Sequence, residues 1–376
     1  MITGDQMLWW VFNDTLAPHT ETQGAAFGFE IHGKAYAFTC PTISSVDEAI
    51  NYTTFYQYKI INRSSNTYHN IHIGLWTDYD LGNASDDYIG CDTLLNTGFV
   101  YNSDNDDETP AGYGINPPMQ NTMILKGPLA DAGDGIDNDH NGVTDEAGET
   151  IGISHFVYYA GLNASPFGSP NSSTDYNHYL NGTWLDGLPI TYGGDGRDQN
   201  NPPTNFMFPG TPYDTSGWTM PIAGIPGADM RSLLSAGPFT IAPGEERTID
   251  FAYVFTRDST APNGLTTSIA KNTADLIKVH QWFDNNTFPS CFNVGMNEIK
   301  NNESLKVFPN PANNTLRLKN VNASEKTGYT IIDVTGRVCL KGIYNGAIDI
   351  STLKSQLYII QLNDGKKTSF AKFVKL

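Results

Sequence analysis

Between residues 303 and 376 the apolar side chains recur at every second position, and turn residues interrupt the run before any stretch grows long. Leu316 and Leu318 alternate with polar neighbours. Tyr358, Ile360 and Leu362 point to one face of an extended segment while Leu357 and Ile359 point to the other. Turn signals at Asn310-Pro311, Thr335-Gly336, Asn345-Gly346 and Asp364-Gly365 divide the segment. A period of two buries a sheet face and not a helical stripe, so the pattern predicts about six or seven short strands in a small, immunoglobulin-like β-sandwich.

The same residues carry a family likeness. The segment begins with Val307-Phe308-Pro309-Asn310-Pro311, passes through Tyr329-Thr330-Ile331-Ile332-Asp333-Val334-Thr335-Gly336-Arg337-Val338, and continues with Ile348-Asp349-Ile350-Ser351-Thr352-Leu353 and Leu357-Tyr358-Ile359-Ile360-Gln361-Leu362. It stops on Ala371-Lys372-Phe373-Val374-Lys375-Leu376, a terminal strand with two lysines three apart. In order and spacing these motifs resemble the C-terminal sorting domain (Por-type, type A) of type IX secretion substrates. Gln356 stands where that family usually has glycine before its Leu-Tyr strand. The resemblance implies export, the type IX secretion machinery as a partner of residues 303–376, and a final location outside the cell or on its outer surface.

Charge sets the tail apart. Of the 22 Lys and Arg and 40 Asp and Glu in the chain, residues 303–376 hold 11 and 5, a net of +6. Residues 1–302 therefore hold 11 against 35, a net of −24. Such asymmetry suggests different jobs for the two parts. The stretch 284–303 is rich in Asn with scattered Pro and Gly and has no apolar period, so it reads as a connection. The expected domains are an acidic β-rich extracellular domain at 1–290, a linker at 291–302 and the sorting domain at 303–376.

With 39% hydrophobic and 12% aromatic residues the chain can build real cores. No stretch approaches the ~20 apolar residues of a membrane span, so none is expected. Residues 1–6 lack the basic start and apolar run of a signal peptide. Because the implied route begins with export across the inner membrane, a leader is expected upstream of Met1. Nucleic acid is an unsuitable partner for the −24 portion.

Cys40, Cys91, Cys291 and Cys339 show no CxxC spacing, hence neither a zinc nor a redox motif. Two readings stay open: a bridge between Cys40 and Cys91 in an oxidising compartment, or four buried, unpaired thiols. Asn-x-Ser/Thr sequons occur, as at Asn83 and Asn181. Asp14-Thr15-Leu16, Asp92-Thr93-Leu94 and Asp258-Ser259-Thr260 look like the short O-glycosylation acceptor of bacteria that use this secretion route.

The first 290 residues read as a mainly β chain, a β-sandwich ectodomain with one helix and long loops. Phe55, Tyr58 and Ile60 lie in an extended run that stops at Asn62-Arg63-Ser64-Ser65-Asn66, and 71–76 returns, so 53–77 is expected to be a hairpin. A second hairpin is expected from 238–241 through Ala242-Pro243-Gly244-Glu245-Glu246 to 248–255. The string from Ser235 to Glu245 looks like text common in bacterial extracellular β-sandwich modules. Leu265, Ile269, Leu276, Val279 and Phe283 share a face at 100° per residue, which predicts a helix over 264–283 packed on the core.

One acidic stretch has the spacing of a cation loop. In Asp134-Gly135-Ile136-Asp137-Asn138-Asp139-His140-Asn141-Gly142-Val143-Thr144-Asp145-Glu146, oxygen side chains recur at every second residue and a glycine follows the third. Asp137, Asp139 and Asn141 converge as the backbone turns, Gly142 allows the sharp turn, Val143 offers a carbonyl, and Asp145 completes the ring. The string resembles EF-hand-like and thrombospondin type 3 calcium repeats. The twelfth position from Asp137 is Gly148 and not the bidentate glutamate of an EF-hand, so Glu146, Glu149, Asp134 and Asp131 are all candidates for closing the ring. Residues 131–149 hold seven carboxylates and no Lys or Arg, a density of like charge that repels unless a cation or water screens it, so the stretch is either a cation loop or a solvated acidic loop. Calcium is the expected cofactor. Residues 78–108 hold nine carboxylates and again no Lys or Arg, without a loop spacing that closes.

Catalytic patterns are missing from the sequence. His69 and His72 are three apart in a predicted strand and face opposite ways. There is no HExxH, no GxSxG and no phosphate-binding glycine loop. Stretches such as Gly4 to Asp14, Gly90-Cys91-Asp92 and Asn205-Phe206-Met207-Phe208-Pro209-Gly210 look like the long non-catalytic ectodomains that often precede this sorting tail. The resulting expectation is a secreted or cell-surface, calcium-stabilised protein without catalysis of its own. The alternative is a glycan-binding or accessory portion of a larger secreted hydrolase, in which exposed members of the set Trp76, Tyr158, Tyr159, Trp184 and Trp218 stack on sugars or on cell-surface components, though most of the five are expected to be core. An intact enzyme would require a pocket of converging carboxylates that no metal occupies.

Overall fold

The computed structural model describes residues 3–40, 44–108, 112–160, 166–212, 214, 216–260, 264–285, 305–319, 321, 327–333, 337–363 and 368–376. The chain divides into two compact units, 1–292 and 293–376. The expected linker at 291–302 lies outside the described residues, as do the turns at Thr335-Gly336 and Asp364-Gly365.

Unit 1 runs β1 (Gln6–Asn13), β2 (Phe29–Ala37), α1 (Ser45–Asn51), β3 (Thr53–Asn62), β4 (Tyr68–Asp78), β5 (Asp87–Asp92), β6 (Thr97–Asn102), β7 (Asp106–Asp107), β8 (Gly114–Ile115), β9 (Met119–Lys126), β10 (His155–Ala160), α2 (Ser173–Leu180), α3 (Met220–Ala223), β11 (Met230–Ile241), β12 (Glu246–Thr256) and α4 (Gly264–Asp284). Seven strands form one antiparallel sheet in the order β1-β2-β3-β12-β9-β6-β5, and three form a second in the order β10-β11-β4. Alternation in β12 shows how the layers stack. Ile249 and Phe251 join Val100, Ile124, Leu75 and Phe239 in the core between the sheets, while Ala252 and Val254 join Met123, Leu125, Leu276 and Val279 under the helices. The large sheet is thus buried on both faces at its centre, each buried Leu- or Val-sized side chain contributing roughly 1.5–3 kcal/mol.

The helix predicted over 264–283 is α4, with Leu265, Ile269, Leu276 and Val279 buried. Trp282 is the buried aromatic at its end and packs on Phe38 and Phe55, with Phe283 only partly buried beside it. Neither predicted hairpin forms. β3 pairs with β2 and β12, whereas β4 pairs with β11. The two sharp connections, 63–67 and 242–245, instead arch from one sheet to the other. The fully buried Asn62 ties them together: its N–H donates to Glu245 O (3.0 Å), its carbonyl accepts from Gly244 N (2.9 Å), and its amide donates to Ile241 O (3.1 Å) and Asn66 O (2.7 Å). An amide with several partners can join two arches in a way an apolar residue cannot.

The opposite side of the sandwich is closed by residues 205–210. Phe156 N donates to Asn205 O (2.9 Å) and Met207 N to Phe156 O (3.1 Å), while Cys91 N donates to Phe208 O (3.2 Å) and Gly210 N to Cys91 O (2.8 Å). One segment therefore bonds β10 of the small sheet and β5 of the large one. This agrees with the expectation that most of the five aromatics are core residues. Tyr158 packs on Trp184 and Phe208, Trp218 on Phe208, and Tyr159 on Tyr179, and all six are buried. Of the five aromatics considered for sugar stacking only Trp76 is exposed (51%), and its indole N–H donates to Tyr159 Oη (2.5 Å).

Cys91 is a free, buried thiol and Cys339 is also free, so the bridge between Cys40 and Cys91 does not exist. Cys40 is disulfide-bonded, with its partner outside the described residues, which overturns the reading of four unpaired thiols as well.

Unit 2 consists of β13 (Lys306–Phe308), β14 (Thr315–Lys319), β15 (Gly328–Asp333), β16 (Val338–Ile343), β17 (Ile348–Asp349), β18 (Gln356–Asn363) and β19 (Thr368–Lys375). They make a two-sheet sandwich, β13-β14-β17 against β16-β15-β18-β19. The alternating Leu316, Leu318, Tyr358, Ile360 and Leu362 form its core with Ile331 and Phe373. The opening and closing motifs of the segment meet here. Asn310 Oδ1 accepts from Val374 N (2.9 Å), its amide donates to Lys372 O (3.1 Å), and Ala312 pairs with Val374 and Leu376.

Candidate metal centre

The loop between β9 and β10 is closed at its base by main-chain bonds: Ile151 N to Pro128 O (2.8 Å), Ala130 N to Glu149 O (3.0 Å) and Gly152 N to Asn138 O (2.8 Å). Asp131 Oδ1 pins it to β11 by accepting from Thr240 N (2.9 Å). Within this frame the backbone turns back repeatedly. Gly142 (φ +91°), His140 (φ +62°) and Asp145 (φ +60°) are left-handed, and at Gly142 a glycine meets that need without strain.

Two of the predicted ligands converge. Oxygens of Asp137, Asp139 and Glu149 lie within 4.8 Å of one another. Loop N–H groups hold these side chains in place: Asp137 Oδ1 and Asp139 Oδ1 both accept from Asn141 N (3.1 Å each), and Asp137 Oδ2 from Gly142 N (3.0 Å). Asn141 joins them, its amide donating to Asp139 Oδ2 (3.0 Å) and to Glu146 Oε1, and its Oδ1 accepting from Val143 N (2.8 Å). Glu146 Oε2 is buried and has no donor. Asp145 turns the other way, its Oδ1 accepting from Gly135 N (3.2 Å), and Val143 exposes its side chain.

The third carboxylate of the cluster is Glu149, only 6% exposed, with Oε1 accepting from Asn138 N (2.5 Å). It was one of four candidates for closing the ring. It lies thirteenth from Asp137, one residue beyond the EF-hand position, and Gly148 at the twelfth adopts φ +86°. Three carboxylates, a further buried and unpartnered carboxylate oxygen and an amide make an all-oxygen set suited to a hard divalent cation.

The other acidic stretch divides into two groups. Asp78, Asp80 and Asp229 also bring oxygens within 4.8 Å of one another, but Arg231 already bonds Asp78 (3.1 Å) and Asp229 (2.8 Å). Deeper in, Asp87 Oδ2 accepts from Leu81 N (3.0 Å), and Asp107 accepts from Asn83 N (2.9 Å) and Tyr113 N (2.7 Å). Burial, with smaller contributions from neighbouring carboxylates, pushes Asp87 up to about 8. Asp86 is raised to about 6 by burial and by Glu108.

One histidine pair lies between elements. The rings of His72 on β4 and His155 on β10 are 5.9 Å apart, with Gly237 and Gly182 packed flat against them. Burial lowers both, and with the second ring nearby His155 falls to about 4.

Residues 306–376 match the family described as the secretion system C-terminal sorting domain. No curated protein matches the chain. Among solved structures the chain is similar to one described as a polysaccharide lyase, at 8% identity and a TM-score of 0.23, covering 93% of this chain and 34% of that one. The chain thus spans about a third of that structure's length. A likeness at this level transfers neither fold nor activity. The sorting-domain match does carry a location: the protein is exported to the cell surface or the extracellular space. No described helix is long and apolar enough to cross a membrane.

Proposed function

We propose that this is a calcium-stabilised, non-catalytic protein of the outer cell surface or its surroundings. Residues 303–376 serve as the signal that the type IX secretion machinery reads, and residues 1–290 are the part that works outside. The observation that supports calcium most is the meeting of Asp137, Asp139 and Glu149 around a loop that also buries an unpartnered oxygen of Glu146. No arginine or lysine lies in 131–149 to balance this charge. A bound cation would supply the balance, and extracellular calcium is abundant enough for a site with a Kd near 10⁻⁴–10⁻³ M. The reading as a glycan-binding accessory part loses support, since four of its five proposed stacking aromatics are core residues.

Thermal unfolding of the full chain tests this. About 5 mM calcium should raise stability over chelator-treated protein by about 1–2 kcal/mol, a shift of a few degrees in midpoint. Asp137→Ala combined with Asp139→Ala should shrink that shift. An unchanged midpoint in the parent protein across millimolar calcium would refute the proposal.

A further inference from the structure

The two outer faces of the unit 2 sandwich are unlike. On the β13-β14-β17 sheet, Lys306 lies opposite Lys319 and Phe308 opposite Arg317, all exposed, which is a solvated basic surface with one apolar side chain. On the β16-β15-β18-β19 sheet, Ile331, Tyr358, Ile360 and Phe373 turn inward, so alternation turns the residues between them outward. Those outward residues include Val338, Ile343 (60% exposed), Leu357, Phe370 (55%) and Val374. Val338 lies opposite Ile332, Ile332 opposite Ile359, and Leu357 opposite Val374, so apolar side chains run across all four strands. Among the described strand residues of this face the only charges are Lys341 and Lys372, and no Asp or Glu joins them.

A hollow of about 470 Å³ opens on the same face, lined by Gly328, Thr330, Lys341, Gln361 and Asn363. Ile343, opposite Gly328, and Phe370, opposite Gln361, flank it. The backbone does not require that glycine: a Cβ added at Gly328 would meet nothing closer than 3.9 Å. What its lack of a side chain provides is the hollow. Soluble domains seldom expose a contiguous apolar face of this kind unless something docks on it.

We infer that this face is the surface by which the type IX secretion machinery reads the tail, with an apolar side chain of the machinery entering the hollow and acidic groups meeting Lys341 and Lys372. The inference rests on the reading of residues 303–376 as the export signal and adds which face is read. Charge argues against a second copy as the occupant, since a symmetric contact would bring the same two lysines to the interface with no acid to meet them. The opposite sheet offers a partner bases and little apolar area.

Export of the full chain, expressed behind a leader peptide in a host with the type IX machinery, tests this. Ile343→Thr with Phe370→Thr removes apolar contact while keeping residues suited to strands, and Gly328→Val fills the hollow where a Cβ has room. Each should unfold in denaturant as the parent does and lower the exported fraction by roughly tenfold or more. Arg317→Gln with Lys319→Gln, on the opposite sheet, should be exported like the parent. If the threonine pair alters unfolding, Gly328→Val and the exposed Lys341→Glu decide the matter, both with reduced export expected. Parent-like export of the folded face variants, while deletion of Ala371–Leu376 still blocks export, would overturn the choice of face and leave the signal standing. Export of the deletion as well would refute the signal reading and the inference with it. A parent dimer in sedimentation that the threonine pair dissociates would make the face a self-contact and also overturn the inference.

Discussion

Deletion of Ala371–Leu376 should leave the protein in the periplasm of a host that possesses the type IX machinery, with little or none reaching the medium. These six residues include most of the β19 core contact. Phe373 is fully buried and stacks on Tyr358 at 5.7 Å, and β19 pairs with β18 along its length. Removing a buried phenylalanine costs about 3–5 kcal/mol, most of what a sandwich of this size has to spare. The deletion also frees Asn310 and Ala312, which hold Val374 and Leu376 from the far side of the strand. The signal and its fold should therefore be lost together. Phe373→Ala, which keeps Lys372 and Lys375, should reduce export in proportion to the loss of folded tail. Immunoblots of periplasm and medium measure both, and equal export of parent and deletion would reduce the tail to a structural module.

Acid should weaken unit 1 through His155. Its folded-state value of about 4 lies below the ordinary 6.5 because the ring is buried and faces His72. The unfolded chain thus binds a proton in a range where the folded one does not. The resulting stability is fully present above pH 6.5 and is lost progressively as the pH falls to about 4, on the order of 2–3 kcal/mol for this residue alone. His72, lowered for the same first reason, acts in the same direction. Denaturant midpoints between pH 4 and pH 7 should fall with acid in the parent and respond less in His155→Gln. Parallel pH profiles for the two proteins would show that the pair does not control acid sensitivity.

Sequence legibility followed the range of the interactions. The tail was readable because each strand shows its own period-two pattern, and the residues of Val307 to Pro311 and of Ala371 to Leu376 turn out to grip one another. Helix α4 was readable for a similar local reason, though the boundary aromatic that packs deepest is Trp282 and not Phe283. The hairpins failed because a turn between two strands looks the same whether the strands pair or arch between sheets. The distinction rests on Asn62 and on contacts nearly 180 residues apart, such as its bond to Ile241. That most of the five aromatics are core was legible, but not which element covers them: Phe208, which packs on Tyr158 and Trp218, belongs to the bridging segment 205–210, whose role depends on two sheet edges that are far apart in sequence. In the loop, spacing alone pointed to Asp137 and Asp139, whose oxygens do come together, and to Asn141, which hydrogen-bonds to Asp139. That Glu149, of the four candidates, is the one that meets Asp137 and Asp139 depends on how the backbone folds back, which no residue count reveals.

Amide hydrogen exchange across 131–149 tests the calcium account most directly, because it reads the loop and not the whole domain. The N–H groups of Asn141, Gly142 and Val143 bond to the side chains of Asp137, Asp139 and Asn141, so an ion that fixes those side chains should slow exchange at all three. The account predicts clear protection in millimolar calcium, loss of it in chelator, and none in Asp137→Ala with Asp139→Ala under either condition. Identical exchange of the parent loop with and without calcium would contradict it.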